Sequence, residues 1–100
     1  MNDRMLIIQI RINMKVAVWD TYVPKEDGKI MHFDIIAPDE MRDTMTIYKY
    51  GKEYLKSKNQ EGKELSSKEC EFCHIESASA EMIKGIKEKG YYIIEMENCN

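Results

Sequence analysis

Residues 14–37 read MKVAVWDTYVPKEDGKIMHFDIIA, and this stretch predicts a β-hairpin. Apolar positions recur at every second residue on either side of residues 23–28, VPKEDG, which are turn formers. A period of two is typical of a strand with one face against a core. Two such strands joined by a short loop must run antiparallel, so the sequence predicts an antiparallel sheet that begins here.

The apolar pattern also predicts a register for this hairpin. If Val16 and Val18 share a face with Phe33 and Ile35, the numbers of any two residues paired across the hairpin must add up to an odd value. A sum of 51 leaves a four-residue loop at residues 24–27. Val18 is then expected opposite Phe33, and Val16 opposite Ile35. The same register leaves three other side chains together on the opposite face of the sheet: Trp19, His32 and Asp34.

The alternation begins well before this hairpin. Every even position from Leu6 to Val18 is apolar, and one strand of that length would exceed the roughly five or six residues that are usual. We therefore divide the pattern at Met14. Residues 1–13 are predicted to be an N-terminal extension that could add a strand, and residues 14–100 a single α+β domain.

The remaining segments predict two helices and two further strands. Asp43 or Thr44 can cap a helix that ends near Lys58, and Gly51 within its apolar stripe indicates close approach to the sheet. The later segments are residues 68–76 as a strand, a short helix capped by Ser77 or Ser79 and closed by Gly90, and residues 91–97 as the last strand. The predicted fold is an α+β two-layer sandwich in the order ββαβαβ, with a mainly antiparallel sheet of about four strands and both helices on one face.

The composition restricts the class of protein. One hundred residues, 33% of them charged, with a net charge of -3, predict one globular domain. Nucleic acid is not an expected partner, because binding to phosphates needs a basic surface. A membrane is not expected either, since no apolar run approaches the roughly 20 residues that span a bilayer. We expect a cytoplasmic location with reduced cysteines, and a homodimer if the chain self-associates.

Residues 70–74 read CEFCH, a C-x-x-C-H pattern that has four interpretations. It can attach a c-type haem, bind zinc, carry thiol–disulfide chemistry, or supply small buried residues to a strand. In an extended strand Cys70 and Cys73 lie roughly 10 Å apart and point to opposite faces. They could then share neither a metal nor a disulfide without a turn at residues 71–72, which are neither glycine nor proline. The pattern therefore favours a plain strand.

A thiol site, either zinc-binding or redox-active, is the alternative interpretation. Its candidate ligands are Cys70, Cys73, His74 or His32, and Cys99. A redox pair usually begins a helix that lowers the thiol pKa, whereas acidic residues surround this motif. Zinc is accordingly the alternative cofactor, and the first expectation is no cofactor.

The second candidate site is the face of the hairpin that carries Trp19, His32 and Asp34. His32 and Asp34 lie two residues apart on one strand, so they project the same way and the carboxylate could orient the imidazole. Without a nucleophile beside them these residues make no catalytic mechanism, and an exposed tryptophan favours an interface. The sequence therefore predicts a non-catalytic binding or interaction domain, with no catalytic residue assigned.

A combination of short segments resembles a known family. The segments are residues 19–23 (WDTYV), 27–28 (DG), 31–34 (MHFD), 70–74 (CEFCH) and 90–93 (GYYI). Over residues 14–99 the chain resembles the short bacterial proteins grouped as domain of unknown function two-thousand-twenty-four, and residues 1–13 depart from that pattern. The resemblance implies a small α+β domain and assigns no activity to any of these positions.

Overall fold

The elements follow one another in the order ββαβαβ in the computed structural model, which describes residues 14–100. They are β1 (Lys15–Pro24), β2 (Ile30–Pro38), α1 (Thr44–Ser57), β3 (Cys70–Ser77), α2 (Ala80–Lys89) and β4 (Tyr92–Glu97). The strands form one sheet in the order β3-β1-β2-β4, and every neighbouring pair is antiparallel. The predicted α+β class, the four-stranded antiparallel sheet and the element order are confirmed. The extension at residues 1–13 lies outside the described residues, so the division at Met14 stays a prediction.

The hairpin has a different register from the predicted one. Trp19 pairs with Ile35 and Tyr22 with His32, so that paired residue numbers sum to 54 and the predicted sum of 51 is wrong. The loop is also longer, because Pro24 pairs with Ile30 and the backbone N–H of Lys25 donates to the carbonyl of Lys29 at 2.9 Å. A shift of three residues is odd, so it moves every side chain of β2 to the other face relative to β1.

This register gives the sheet two apolar faces, each with its own helix. One core cluster packs against α1 and includes Ala17, Trp19, Phe33, Ile35, Ile47 and Leu55. The other packs against α2 and contains Val16, Val18, Ile36 and Met82. The expectation that both helices share one face is therefore wrong, because consecutive residues of β1 contribute to cores on opposite sides of the sheet.

Local sequence signals explain where the helices begin, end and pack. Gly51 of α1 is buried, and its backbone lies so close to Leu65 and Ile35 that a β-carbon would crowd both side chains. In α2 the Ser79 hydroxyl accepts a hydrogen bond from the N–H of Met82 at 3.2 Å, as expected of an N-cap. Gly90 ends this helix with a φ of 94°, a left-handed conformation that glycine adopts readily.

The two helices differ in how much of the sheet they cover. The cluster under α2 occupies the part of its face that carries Val16, Val18 and Ile36. Further along β1 on the same face, Tyr22 is 48% exposed. The fold thus leaves the other part of this face open, and the polar residues of β1 and β2 lie there.

Candidate functional site

The open part of the α2 face carries three polar side chains that converge. Asp20 of β1 lies directly opposite Asp34 of β2, and His32 lies two residues before Asp34 on the same strand. Because side chains alternate along a strand, all three project from one face of the sheet. A donor atom from each of the three lies within 4.8 Å of the donor atoms of the other two.

The spacing of these atoms is unusual for hydrogen-bonded side chains. His32 Nε2 lies 3.6 Å from Asp20 Oδ1 and 3.8 Å from Asp34 Oδ1, and both separations are too long for a hydrogen bond. Within the part of the chain that the structure describes, His32 Nε2 and Asp34 Oδ1 are buried atoms that have no hydrogen-bond partner. Leaving a polar atom in this state typically costs about 1–3 kcal/mol, so the cluster is destabilising as it stands.

The two carboxyl groups influence each other's ionisation. Burial raises the pKa of Asp34 to about 7, and a hydrogen bond with Asp20 together with the charge of Asp20 adds to the effect. The same hydrogen bond is the main cause that lowers the pKa of Asp20, and His32 contributes to the lowering. Asp20 is therefore the ionised member of the pair, and Asp34 holds the shared proton under mildly acidic conditions.

Tyr22 holds the imidazole of the cluster in place. Its ring stacks on the ring of His32 with centroids 4.1 Å apart and planes inclined by 12°. The pair forms because Tyr22 and His32 are directly opposite each other on β1 and β2. Stacking fixes the plane of the imidazole, so that Nε2 stays directed towards the two carboxylates.

Trp19 does not belong to this cluster, which corrects the expectation that it shares a face with His32 and Asp34. It is 5% exposed, packs in the core under α1, and contacts Phe72 edge-to-face at 5.7 Å. The hairpin register decides its place, because Trp19 pairs with Ile35. The sequence analysis did not assign Asp20 to this site. The clue in the sequence is that Asp20, like His32 and Asp34, has an even residue number.

The cysteines of the C-x-x-C-H motif point to opposite faces. Cys70 is buried opposite Thr21 on the α1 side, whereas Cys73 is exposed. A β-bulge interrupts the pairing here, since Val18 pairs with His74 and Trp19 with Phe72, which leaves Cys73 as the extra residue.

The predicted thiol ligands are consequently not gathered at one point. Cys99 is a third free thiol, buried near the C-terminus, and its Sγ lies 3.3 Å from the carbonyl oxygen of His32. Cys70, Cys73 and Cys99 thus occupy three separate environments. Within the motif, only Cys73 and His74 lie side by side.

Cys73 and His74 both lie on the face that carries the Asp–His–Asp cluster. Cys73 Sγ is 3.1 Å from His74 Nδ1, and His74 Nε2 is 2.7 Å from Glu76 Oε1. Cys73 also borders Asp20 in a cleft of about 430 Å³. Partial desolvation, the charge of Asp20 and a hydrogen bond with it raise the pKa of the Cys73 thiol. The thiol is therefore protonated at neutral pH in the absence of a cation beside it.

The fold and this cluster define a small α+β domain whose four-stranded antiparallel sheet has a helix on each face and an Asp–His–Asp cluster on its open part. The chain belongs to the family described as Domain of unknown function (DUF2024), whose family model matches residues 14–96. This confirms the resemblance in the sequence.

A solved structure shares this fold. It is the NMR structure of protein NE1680 from Nitrosomonas europaea, a structural genomics target, which is 44% identical to this chain with a TM-score of 0.76. The similarity covers 87% of this chain and 100% of that protein. No curated protein matches the chain. Among the described residues, every helix is too short or too polar to cross a membrane.

Proposed function

We propose that this protein is a small binding domain whose ligand is a divalent transition-metal cation held by Asp20, His32 and Asp34. The observation that carries the proposal is the spacing of 3.6 and 3.8 Å between His32 Nε2 and the two carboxylate oxygens. Metal–ligand bonds of about 2.0–2.2 Å place two ligand atoms of one ion roughly 3–4 Å apart. The separations are thus too long for direct hydrogen bonds and suit atoms that share a cation.

Charge and burial support the same proposal. A bound cation neutralises the opposed carboxylates of Asp20 and Asp34, which repel each other when both are ionised. It also gives the buried atoms His32 Nε2 and Asp34 Oδ1 the partner that the described residues do not supply. Binding therefore removes the two unfavourable features of the metal-free cluster.

The donor types indicate which cations bind. Imidazole nitrogen favours zinc, cobalt, nickel and iron, whereas calcium and magnesium prefer oxygen ligands throughout. His32 thus selects for a transition metal. The stack of Tyr22 on His32 orients this ligand, in the way that neighbours of metal ligands usually do.

A reducing compartment fits this function, and we propose a cytoplasmic location. The three cysteines are free thiols, as is usual where glutathione and thioredoxin keep thiols reduced. Free thiols and a metal site occur together readily in that environment.

Calorimetric titration of the full chain tests the proposal. Protein stripped with a chelator and dialysed is titrated with zinc chloride, and the expected result is one equivalent bound. His32→Ala and Asp34→Asn should each weaken binding by more than about tenfold, because each removes one of three ligands.

Asp43→Asn is the matched control. Asp43 is an exposed N-cap residue of α1, and asparagine caps helices as well as aspartate does. Its variant should bind zinc as the natural chain does. Absence of binding to the natural chain, or equal binding by His32→Ala and Asp43→Asn, would contradict a metal site at this cluster.

A further inference from the structure

We propose that the free edge of β3 pairs with the same edge of a second copy of this chain, in the register that places each Ile75 opposite the other. The two four-stranded sheets then join into one antiparallel sheet, and the assembly is a closed dimer with two-fold symmetry. The contact uses no residue of the Asp–His–Asp cluster, so it does not depend on metal binding.

The β3 strand offers an edge that little protects. Within residues 14–100 it pairs with β1 alone, so its other side presents unpaired backbone groups. Exposed edges are commonly protected by proline or lysine, and the sequence of β3, CEFCHIES, contains neither. The bulge at Cys73 distorts the first half of the strand, whereas residues 74–77 pair regularly with β1. This regular half is therefore the part that can accept another strand.

The backbone of Ile75 directs its hydrogen-bonding groups to the free edge. At the end of β3, the N–H of Ala78 donates to the carbonyl of Met14 at 2.8 Å, so Ala78 faces β1. These groups alternate between the two sides of a strand. Glu76 consequently faces β1 as well, while Ile75 and Ser77 face away from it. In the proposed dimer, the N–H of each Ile75 donates to the carbonyl of the other.

Symmetry and charge together select the register. Residues opposite each other in an antiparallel pair point to the same face, so two identical strands pair only where the residue numbers add up to an even value. Centring the pair on His74 would oppose two imidazoles, and centring it on Glu76 would oppose two carboxylates. Centring it on Ser77 would pair only the end of the strand. Centring it on Ile75 places each His74 opposite the Glu76 of the second copy, which are groups of complementary charge.

The same register covers exposed apolar surface. Ile75 lies opposite Ala17 and so points to the α1 side of the sheet, yet it is 38% exposed because α1 packs over β1 and β2. In the dimer the two Ile75 side chains contact each other on this side. The paired segment is short, so we expect a weak dimer that dissociates on dilution.

Sedimentation equilibrium on the reduced full chain, with chelator present, tests the proposal. The average mass should rise with concentration from 11.8 kDa towards twice that value. Ile75→Lys should stay monomeric over the same range, because two lysines would oppose each other at the centre of the contact. Ile30→Lys is the matched control, since Ile30 is an isoleucine that is 47% exposed on β2, and this variant should dimerise as the natural chain does. Circular dichroism verifies that both variants fold.

Disulfide cross-linking between two different variants tests the register. His74→Cys and Glu76→Cys are each made with Cys73→Ser, so that the introduced thiol is the exposed one. Residues of a non-hydrogen-bonded antiparallel pair have Cα atoms about 4.5 Å apart, which suits a disulfide. Mild oxidation of an equal mixture of the two variants should therefore give a covalent dimer. Each variant alone should not, because its two thiols would meet only in a register centred on His74 or on Glu76.

Three results would overturn the proposal. A natural chain that stays monomeric at every concentration has no such dimer, and a dimer that survives Ile75→Lys uses another surface. Cross-linking of either variant alone, without cross-linking in the mixture, would show a different register. Because the chelator removes metal ions, none of these results bears on the cation site, which the zinc titration tests separately.

Discussion

Asp20 and Asp34 lie directly opposite each other on the two central strands of the sheet. Like charges at opposed positions of an antiparallel pair destabilise a sheet, and partial burial strengthens the repulsion. In this chain the pair faces a histidine nitrogen at distances too long for hydrogen bonds. Such an arrangement is unfavourable for folding alone, and proteins keep unfavourable arrangements mainly where they bind something.

Asp34→Asn should therefore stabilise the metal-free protein while it weakens metal binding. Removing one carboxyl relieves the repulsion, and the asparagine amide can donate a hydrogen bond to Asp20. We expect the free energy of unfolding at neutral pH to rise by up to about 1 kcal/mol, measured by urea denaturation with chelator present. With excess zinc the order should reverse, because only the natural chain gains stability from the ligand. A loss of stability in the metal-free variant would argue against electrostatic repulsion in this pair.

Thiol labelling should separate the three cysteines. Cys73 is exposed, whereas Cys70 and Cys99 are 1% and 7% exposed. In the native state, a chromogenic disulfide reagent should modify one thiol quickly and the other two only on the slower timescale of local unfolding. The raised pKa of Cys73 slows its reaction, so we expect faster labelling at higher pH.

Cys73→Ser identifies the reactive thiol. This variant should lose the fast phase completely, and denaturant should then expose the remaining two thiols. Two fast thiols in the native chain, or a fast phase that survives in Cys73→Ser, would show that the burial of Cys70 or Cys99 is wrong.

The sequence predicts the elements of this fold well because its local signals are strong. The period-two pattern locates the hairpin, and Ser79 and Gly90 bound the second helix. The register is not predicted because residues 16–19 are all buried. Because a helix covers each face of the sheet, the odd-numbered and the even-numbered residues of β1 are both buried here. The alternation of apolar residues therefore cannot choose between two registers that differ by an odd number of residues.

The candidate site is predictable only as far as it depends on one strand. His32 and Asp34 share a face because they lie two residues apart, and this relation holds in any register. The pairing of β1 with β2 places Asp20 on the same face as His32 and Asp34, and it places Trp19 on the opposite face. The position of Cys73 depends on a bulge in β3, and residues 71–72 contain no glycine or proline that would reveal it.

Gly51→Ala should destabilise the protein although alanine is the better helix former. A β-carbon here would clash with Leu65 and would lie 3.0 Å from Ile35 Cδ1. Overpacking typically costs about 1–3 kcal/mol, and the gain in helix propensity returns about 1 kcal/mol, so we expect a net loss of up to about 2 kcal/mol. Urea denaturation measures it, and Lys49→Ala on the exposed side of α1 is the control. An unchanged or higher stability of Gly51→Ala would mean that Leu65 moves aside freely.

The free energy of unfolding should depend on pH through Glu95, which lies at the junction of α1 and β4. Its carboxylate lies 2.8 Å from Lys58 Nζ and accepts a hydrogen bond from the Tyr54 hydroxyl. These two hydrogen bonds, that from Lys58 first, lower the pKa of Glu95 from its ordinary value of 4.5. A lowered pKa in the folded state means that the ionised form stabilises the fold. The ionised Glu95 carboxylate stabilises the fold fully at pH values above its ordinary pKa, and this stabilisation is lost as the pH falls through the lower pKa of the folded state.

Glu95→Gln should therefore be less stable than the natural chain at neutral pH and equally stable at strongly acidic pH. Because Glu95 is half-exposed, we expect a difference of no more than about 1 kcal/mol at neutral pH, and high salt should reduce it. Thermal unfolding followed by circular dichroism across the acidic range gives both values. Glu88→Gln, an exposed change on α2, is the control and should show no such convergence. A difference between Glu95→Gln and the natural chain that stays constant as the pH falls would mean that the glutamine acts through packing rather than through loss of the charge.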